Sequence, residues 1–537
     1  MATARTERHG LLDALEIGIF LLAIALPGAL LLLGKIQPAK AVDTEQRVLA
    51  PAPEWKWTAD SVKNFPAAFE AYFSDRFGLR DALIRGHSVL TYFGLHASPS
   101  PKVVLGEGRW LFLKGIPAED GEPLEDHRGT KPLNPYQLER WRWQLEDERD
   151  WVVKRNKTYL FGLVASKETL YPEKLPSAWR NIGLPTARQQ FMEHMRRCLS
   201  FEFLDLAPPS LAVKSRALVY RLTDTHWNDE GCLVALDEVI KHLKPAYPQL
   251  PEVDRDRYNA RDYRCLDGDL VRVIGLTHIA YEHFPEYRMR DSKVTATRLG
   301  ESDLSDIETT QPATNLPSLL FFHDSYGHFL KPFFPDYFSR TRFRWTNEGI
   351  EEDTLDRVNP DIVLHIMAER RLRLGQRYPV VVQQEGWSSR YTGADEKLTL
   401  DASALGQQLK PNHLTKVTDV TTGVVANSRS QVVFDLDLPL NAYLEVPILC
   451  IEVTTLVKTE FTMTWATRHE ETWPELTSRT QKAFLEPGTS KVYFPIIDQE
   501  YAGHIQLYTD SMSRDLTIHN LTARSIPRYP PRGASSR

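Results

Sequence analysis

Between residues 158 and 366 the hydrophobic period keeps switching, and this restricts the fold more than any other feature of the sequence. Thr158–Val164, Ala217–Leu222 and Leu316–Phe322 are short apolar runs bounded by turn-forming residues, and they read as buried strands. Thr186–Leu199 and Asn228–Leu243 repeat their apolar residues at helical spacing, and a short helix follows Ser325. Thr341–Trp345 and Ile362–Ile366 are further strands. Strands alternating with helices specify an α/β domain with a parallel sheet flanked by helices. Functional groups in such sheets gather where strands end and helices begin.

The flanks follow other patterns. Leu138–Arg155 reads as a helix with alternating charge on its outer face, and "KVVLGEGRWLFLKG" as two short strands turning at Gly106-Glu107-Gly108. Earlier, Phe69, Phe73, Phe77, Leu83 and Val89 recur at helical spacing around a break near Gly78. From about Val380, runs such as "SQVVFDLDLPL", "YLEVPILCIEV" and "EFTMTWATR" are short, β-branched and aromatic, which predicts a C-terminal β-sandwich. The boundary is expected between 378 and 387. At the other end, Leu11–Leu33 is almost wholly apolar, carries no charge from Ile17 onward, and follows Arg5 and Arg8. This predicts a membrane anchor helix within residues 11–34, with the N-terminus cytoplasmic and the rest periplasmic or extracellular. Ala39-Lys40-Ala41 has the form of a signal peptidase site, but it lies well past an apolar run longer than a usual signal peptide core, so an uncleaved anchor is expected. The expected division is therefore 1–40 as cytoplasmic tip and anchor, 41–385 as catalytic domain and 386–537 as β-sandwich with a tail.

Bulk properties exclude some functions. A chain of 537 residues exceeds one ordinary core. Its net charge of -6 gives no basic excess for nucleic acid. Cys198, Cys232, Cys265 and Cys450 are scattered with no CxxC pair, so thiolate metal ligation is not indicated. Buried free thiols are expected, the alternative being one bridge among Cys198, Cys232 and Cys265. No metal-site spacing and no phosphate-binding glycine loop is present, so neither metal nor cofactor is predicted.

Two short stretches carry chemistry. "LTDTHWNDEG" (222–231) packs Asp224, His226, Trp227 and Asn228 behind an apolar run. "LLFFHDSYGHFL" (319–330) halts a strand at His323-Asp324-Ser325-Tyr326-Gly327 before helical spacing resumes. A hydroxyl at a strand-to-helix turn sits beside backbone N–H groups that can hold an oxyanion. Serine needs an imidazole to take its proton, and the imidazole needs a carboxylate to set its tautomer. Ser325, His226 and Asp224 would fill these roles. The blander alternative makes Asp324-Ser325 a helix cap and Trp227 core packing.

Together the stretches resemble the paired motifs of the AlgX/AlgJ-like polysaccharide O-acetyltransferases, a branch of the SGNH hydrolase-like superfamily. The resemblance extends over much of residues 43–372. "EQRVLAPAP" and "FPAAFEAYFSDRFGLRDALI" resemble the family's post-anchor segment and aromatic-rich helix, and "VVLGEGRWLFL" its glycine–tryptophan turn. "ASKETLYPEKLP" is similar to the lysine–tyrosine loop, and "NPDIVLHIMAERRL" to the closing strand and its Glu-Arg. The resemblance implies Ser–His–Asp acyl transfer by Asp224, His226 and Ser325, from a donor exported by a membrane-bound O-acyltransferase to a polysaccharide acceptor. His323 stands where the family often has glycine, and the C-terminal strands do not match the alginate-binding module of the nearest relatives. An acetylesterase and a non-catalytic carbohydrate-binding scaffold of an export complex are the alternatives. Secondary candidates for substrate binding are Lys167, Tyr171, Trp227, Asn228, Tyr326 and Arg370. For Lys167 the competing reading is a solvated charge, and for Arg370 a pair with Glu369. Trp465 and Trp473 are candidates for stacking on sugar, or for core burial.

Overall fold

The computed structural model describes residues 17–21, 25 and 50–528, except 56, 77–79, 116–121, 301–305, 314, 347–348, 375–379, 413–414, 420–422, 429–430, 469–478 and 511–514. The alternating segment builds a seven-stranded sheet. Its spatial order is Leu204–Asp205, Thr158–Val164, Ile362–Ala368, Leu319–His323, Arg340–Trp345, Ile307–Thr310, Thr295–Arg298. Neighbours pair in parallel up to Arg340–Trp345, and the last two strands are added antiparallel. The fold is thus mixed α/β with a parallel centre.

Alternation along each strand divides the core. Leu160, Leu319, Phe321, Leu364 and Ile366 pack on one face with helices Ala207–Lys214 and Asp229–Leu243. Tyr159, Phe161, Leu320, Phe322, Val363 and Met367 pack on the other with helices Pro135–Lys154 and Ala187–Cys198. Both helices of the second face begin with a reciprocal capping box, Asn134 with Gln137 and Thr186 with Gln189, which satisfies end N–H groups without tertiary help. Every residue of Leu319–His323 is buried, as a strand covered on both faces requires. Truncating Phe322 to alanine there would cost ~3–5 kcal/mol.

Several expectations are corrected. Ala217–Leu222 is not a sheet strand; it forms only an isolated bridge, Tyr220 to Trp227. Its backbone is satisfied elsewhere: Val219 N donates to the Tyr171 hydroxyl (3.0 Å), and Val219 O accepts from Asn228 N (3.1 Å). The edge position beside Thr158–Val164 belongs to the two-residue strand Leu204–Asp205. Many charges of the 135–154 helix do not face solvent, although Lys154 is exposed. Glu139, Arg142, Glu146, Asp147 and Glu148 are buried, because this helix lies in a seam: Arg142 donates to Arg528 O (2.9 Å), and Tyr159 OH donates to Glu148 (2.7 Å). The aromatic helix Ala59–Arg76 stacks Phe65, Phe69 and Phe73 in a ladder, yet Phe69 and Phe73 stay 48% and 42% exposed. The break near Gly78 lies outside the described residues.

Beyond residue 380 the chain is strand-rich but not free of helix. Val380–Thr392 is a helix that buries Trp387 against Trp143, ring centroids 4.8 Å apart. A six-stranded and a five-stranded antiparallel sheet follow and share one hydrophobic cluster, including Val424, Phe434, Ile448, Phe461, Trp465 and Ile505. Trp465 is wholly buried, its Nε1 donating to Asp498 (3.1 Å), so it cannot stack on sugar; Trp473 lies outside the described residues. All four cysteines are buried and unbridged. Among the described residues no helix is long and apolar enough to cross a membrane, and the anchor expected at 11–34 lies outside them apart from 17–21 and 25.

Candidate active site

The 222–226 loop is held from several sides. Lys167, reaching from the turn after the first central strand, donates to Leu111 O (2.7 Å) and Leu222 O (3.1 Å). Glu282 accepts from Leu222 N (2.5 Å) and Thr223 N (3.0 Å). Asp269 accepts from Thr225 N (2.7 Å) and from the Thr225 hydroxyl, while its own N–H donates to Asp224 Oδ2 (3.1 Å). Gly268 lets this second segment approach, since a Cβ there would sit 2.5 Å from Thr223 O.

Within that frame Asp224 and His226 meet. Asp224 Oδ1 lies 2.7 Å from His226 Nδ1 and accepts from His226 N at 2.9 Å. Burial alone would raise the Asp224 carboxyl, but the His226 charge and hydrogen bond, with Arg221 beyond, outweigh it and hold the carboxyl well below the usual range. His226 Nε2 is buried and has no hydrogen-bond partner. Asp224, His226 and Asp269 bring ligand atoms within 4.8 Å of one another, a convergence that sequence spacing did not reveal. The hydrogen bonds just described already engage them.

The two motifs lock together through Tyr326. Its hydroxyl donates to Thr225 O (2.8 Å), its carbonyl accepts from Trp227 Nε1 (3.1 Å), and its ring lies 4.8 Å from the His226 ring. Ser325 is therefore carried to the His226 side of the molecule at the start of the Ser325–His328 turn of helix. The expected Ser325–His226 hydrogen bond is not formed. Ser325 Oγ instead accepts from Arg370 Nη2 at 3.2 Å. Asp324 caps the turn through Tyr326 N (2.9 Å) and ties it to the neighbouring strand through Ala368 N (2.9 Å). His323 is turned away from Ser325 into the core among Phe321, Phe343 and Trp345, and burial lowers its pKa to about 3. Gly327 is required above it, because a Cβ would meet His323 Cβ at 2.2 Å.

The secondary candidates divide. Arg370 touches Ser325, and Glu369 pairs with Arg188 (3.5 Å). Lys167 is 2% exposed rather than solvated, and burial pushes its pKa down to about 8. Tyr171, Trp227, Asn228 and Tyr326 are buried with their polar atoms engaged in the protein: Asn228 caps helix Asp229–Leu243 through Gly231 N (3.1 Å) and donates to Leu218 O (2.8 Å). They shape the site from behind. Asp269 and Glu282 were missed in the sequence; the only local signal was Gly268-Asp269 opening a short apolar helix.

Residues 103–318 match the family described as the SGNH hydrolase-like domain of the acetyltransferase AlgX. A probable alginate O-acetylase AlgJ of Azotobacter vinelandii is 23% identical over 184 residues, covering 33% of this chain and 42% of the relative. One of Pseudomonas syringae pv. tomato is 24% identical over 247 residues, covering 46% and 58%. The chain thus spans about half the length of these curated relatives. The O-acetyltransferase domain of Pseudomonas putida AlgJ aligns over 54% of this chain and all of that one, at 17% identity and a TM-score of 0.37. Over residues 103–318 this chain is thus similar to the SGNH hydrolase-like domain of the AlgX acetyltransferase, and over part of its length to AlgJ.

Proposed function

We propose that this protein is an extracytoplasmic O-acetyltransferase that acetylates hydroxyls of an exopolysaccharide or cell-surface polysaccharide through a Ser325 acyl-enzyme. The observation that carries the reading is the Asp224–His226 pair: Nδ1 is bound to the carboxylate at 2.7 Å and Nε2 is left without a partner beside the Ser325 motif. Ser325 Oγ accepts from Arg370, so its own hydrogen remains to be donated. Rotation toward His226 Nε2 would let the imidazole take that proton as Oγ attacks the donor carbonyl. Arg370 and the N–H groups of the helical turn stand where the oxyanion develops. His226 returns the proton to the departing donor group, leaving acetyl-Ser325. A sugar hydroxyl then attacks the ester, gives its proton to His226, and leaves as the O-acetyl sugar while Ser325 regains its hydrogen.

In this reading residues 41–385 carry the chemistry, and 386–537 dock the glycan or an export partner. The acetyl donor is supplied by a membrane-bound O-acyltransferase, and residues 11–34 tether the chain with its catalytic part outside the cytoplasm. Intact-mass and peptide spectrometry after incubation with an acetyl ester tests the chemistry. An adduct of one acetyl group on Ser325, discharged faster when glycan is added, is the expected result. Discharge indifferent to glycan points to an esterase; no adduct, with polysaccharide acetylation surviving Ser325→Ala in cells, points to a scaffold. A reporter fused after residue 60 tests the tether, since activity of a cytoplasm-only reporter there reverses the orientation.

A further inference from the structure

The aromatic helix Ala59–Arg76 is hardly buried. Its main neighbour among the described elements is helix Arg80–Val89. Every described side chain on it except Ser61, Phe65 and Tyr72 is exposed. At 3.6 residues per turn its apolar side chains still share one side. Val62, Phe65, Phe69, Tyr72 and Phe73 project one way, and Asp60, Lys63, Asn64, Ala67 and Ser74 the other. The Phe ladder continues beyond the helix. Trp55 meets the Phe65 ring edge-on at 4.9 Å and Trp57 meets Trp55 at 5.4 Å, while Trp57 stays 90% exposed. Single exposed apolar residues are ordinary on a protein surface, but a continuous aromatic face marks a docking surface.

Composition and chain length select what covers it. Membrane–water interfaces collect Trp and Tyr, whose rings are apolar and whose N–H or O–H needs a polar partner. Only residues 34–54 separate the apolar run Leu11–Leu33 from Trp55. Fully extended, that stretch spans about 75 Å, so a bilayer holding residues 11–33 keeps the ladder within reach of its surface and raises the local lipid concentration around it. Charge adds a further condition. Glu54, Asp60, Glu70 and Asp75 stand against Lys56, Lys63 and Arg76, so anionic head groups gain nothing here and apolar burial must supply the affinity.

The next helix joins this face to the catalytic fold. A Cβ on Gly275 would lie 2.9 Å from Ser88 Oγ and 3.8 Å from Ile84, so helix Arg80–Val89 packs on the segment whose Asp269 clamps Thr225. We propose that the Trp55–Phe73 face lies in the head-group layer of the membrane and holds the catalytic domain against the surface at which the acetyl donor arrives. The proposal rests on the tether reading for its distance and on the aromatic face for its chemistry.

The test uses the full chain in phosphatidylcholine vesicles. All four native cysteines are buried, so Val62→Cys, or Ala67→Cys on the opposite side of the helix, takes a fluorescent thiol label selectively. A nitroxide carried near the top of the lipid acyl chain should quench the Val62→Cys label at least about twofold more than the Ala67→Cys label, since an interfacial helix sinks its apolar face by about 5–10 Å. Aqueous iodide should give the reverse order. Phe65→Ser with Phe69→Ser should erase the difference. The double variant should keep the wild-type burst of p-nitrophenol from p-nitrophenyl acetate, which reports acetyl-enzyme formation by folded protein. Equal quenching of the two labels, or a difference that survives the double variant, overturns the proposal. So does a Val62→Cys label shielded from iodide but untouched by the lipid nitroxide, because protein then covers the face, either a second copy or the 11–33 segment. An alkaline carbonate wash separates the two readings. A chain that stays bound with its labels quenched equally keeps the tether and loses the docked face. A chain that washes off after lipid quenching of Val62→Cys keeps the docked face and loses the tether.

Discussion

The sheet region and the strand-rich region solve opposite problems with the same residue alphabet. Between the two C-terminal sheets the buried residues are mainly apolar, with Ile448, Val453, Phe461, Ile505 and Leu507 at 1% exposure or less. Ion pairs there, such as Lys410–Asp437 and Lys458–Glu486, sit mostly on the outside. In the sheet region Lys167, Glu168, Asp224, His226, His323, Asp324 and Glu369 are all below 10% exposed. Buried charge is expensive unless paired, and a fold retains it where function needs it. The difference teaches where to look: in the sheet region the buried polar atoms His226 Nε2 and Ser166 Oγ have no hydrogen-bond partner.

The strongest break of this contrast is Ser325→Ala. Acetyl transfer should fall on the order of 10⁴-fold, with His226→Ala comparable because the groups act as one unit. Both variants should melt like the wild type in a thermal scan; a collapse of Tm would move Ser325 from chemistry to structure. In the other region the pattern reverses. Trp465→Ala should cost ~3–5 kcal/mol of stability, read as a lower urea midpoint, while the acetyl-enzyme burst of the remaining folded protein stays unchanged. A changed burst rate would mean that the two regions are coupled.

Glu168 sharpens the comparison through pH. Burial first, and Glu369 second, push its carboxyl up to about 7. The folded state then keeps a proton that the unfolded chain releases in the ordinary glutamate range, so this stabilising contribution is complete below that range and is lost as pH rises through about 7. Glu168→Gln should remove that slope, becoming more stable than wild type at pH 8 by ~1–3 kcal/mol but not at pH 4. Parallel Tm curves across that window would show that the carboxyl is solvated. A smaller effect is expected of Asp269→Asn, which weakens the clamp on Thr225 while keeping the Asp269 N–H bond to Asp224. A loss of about tenfold in kcat, with little change in acceptor KM, is the scale of one displaced hydrogen bond. Unchanged kcat would make Asp269 a bystander. Least of all, Lys410→Ala should leave both Tm and turnover within experimental scatter, as exposed ion pairs do.

Sequence pattern reached some of this and not the rest. Alternating apolar runs were enough for the parallel centre of the sheet, because a strand covered on both faces is mostly apolar, as Leu319–Phe322 is throughout and Ile362–Ile366 is but for the buried His365. The same reasoning failed at Ala217–Leu222, which is equally apolar but meets its hydrogen bonds through Tyr171 and Asn228 instead of a ladder. It failed again at Val380–Thr392, where Trp387 and Val382 bury a helix that β-branched residues disguised as strand.

What the sequence determined by itself was local: capping at Thr186 and Asn228, the turn chemistry around Gly327, and the pairing of Asp224 with His226 two residues on. These depend on neighbours within a few positions, so residue type and spacing carry the information. Tertiary structure alone decided that Asp269 and Glu282 would brace the loop, that Lys167 would be buried, and that Ser325 would meet Arg370. Those partners lie tens to hundreds of positions apart, and only the folded sheet and its helices set the distances between them.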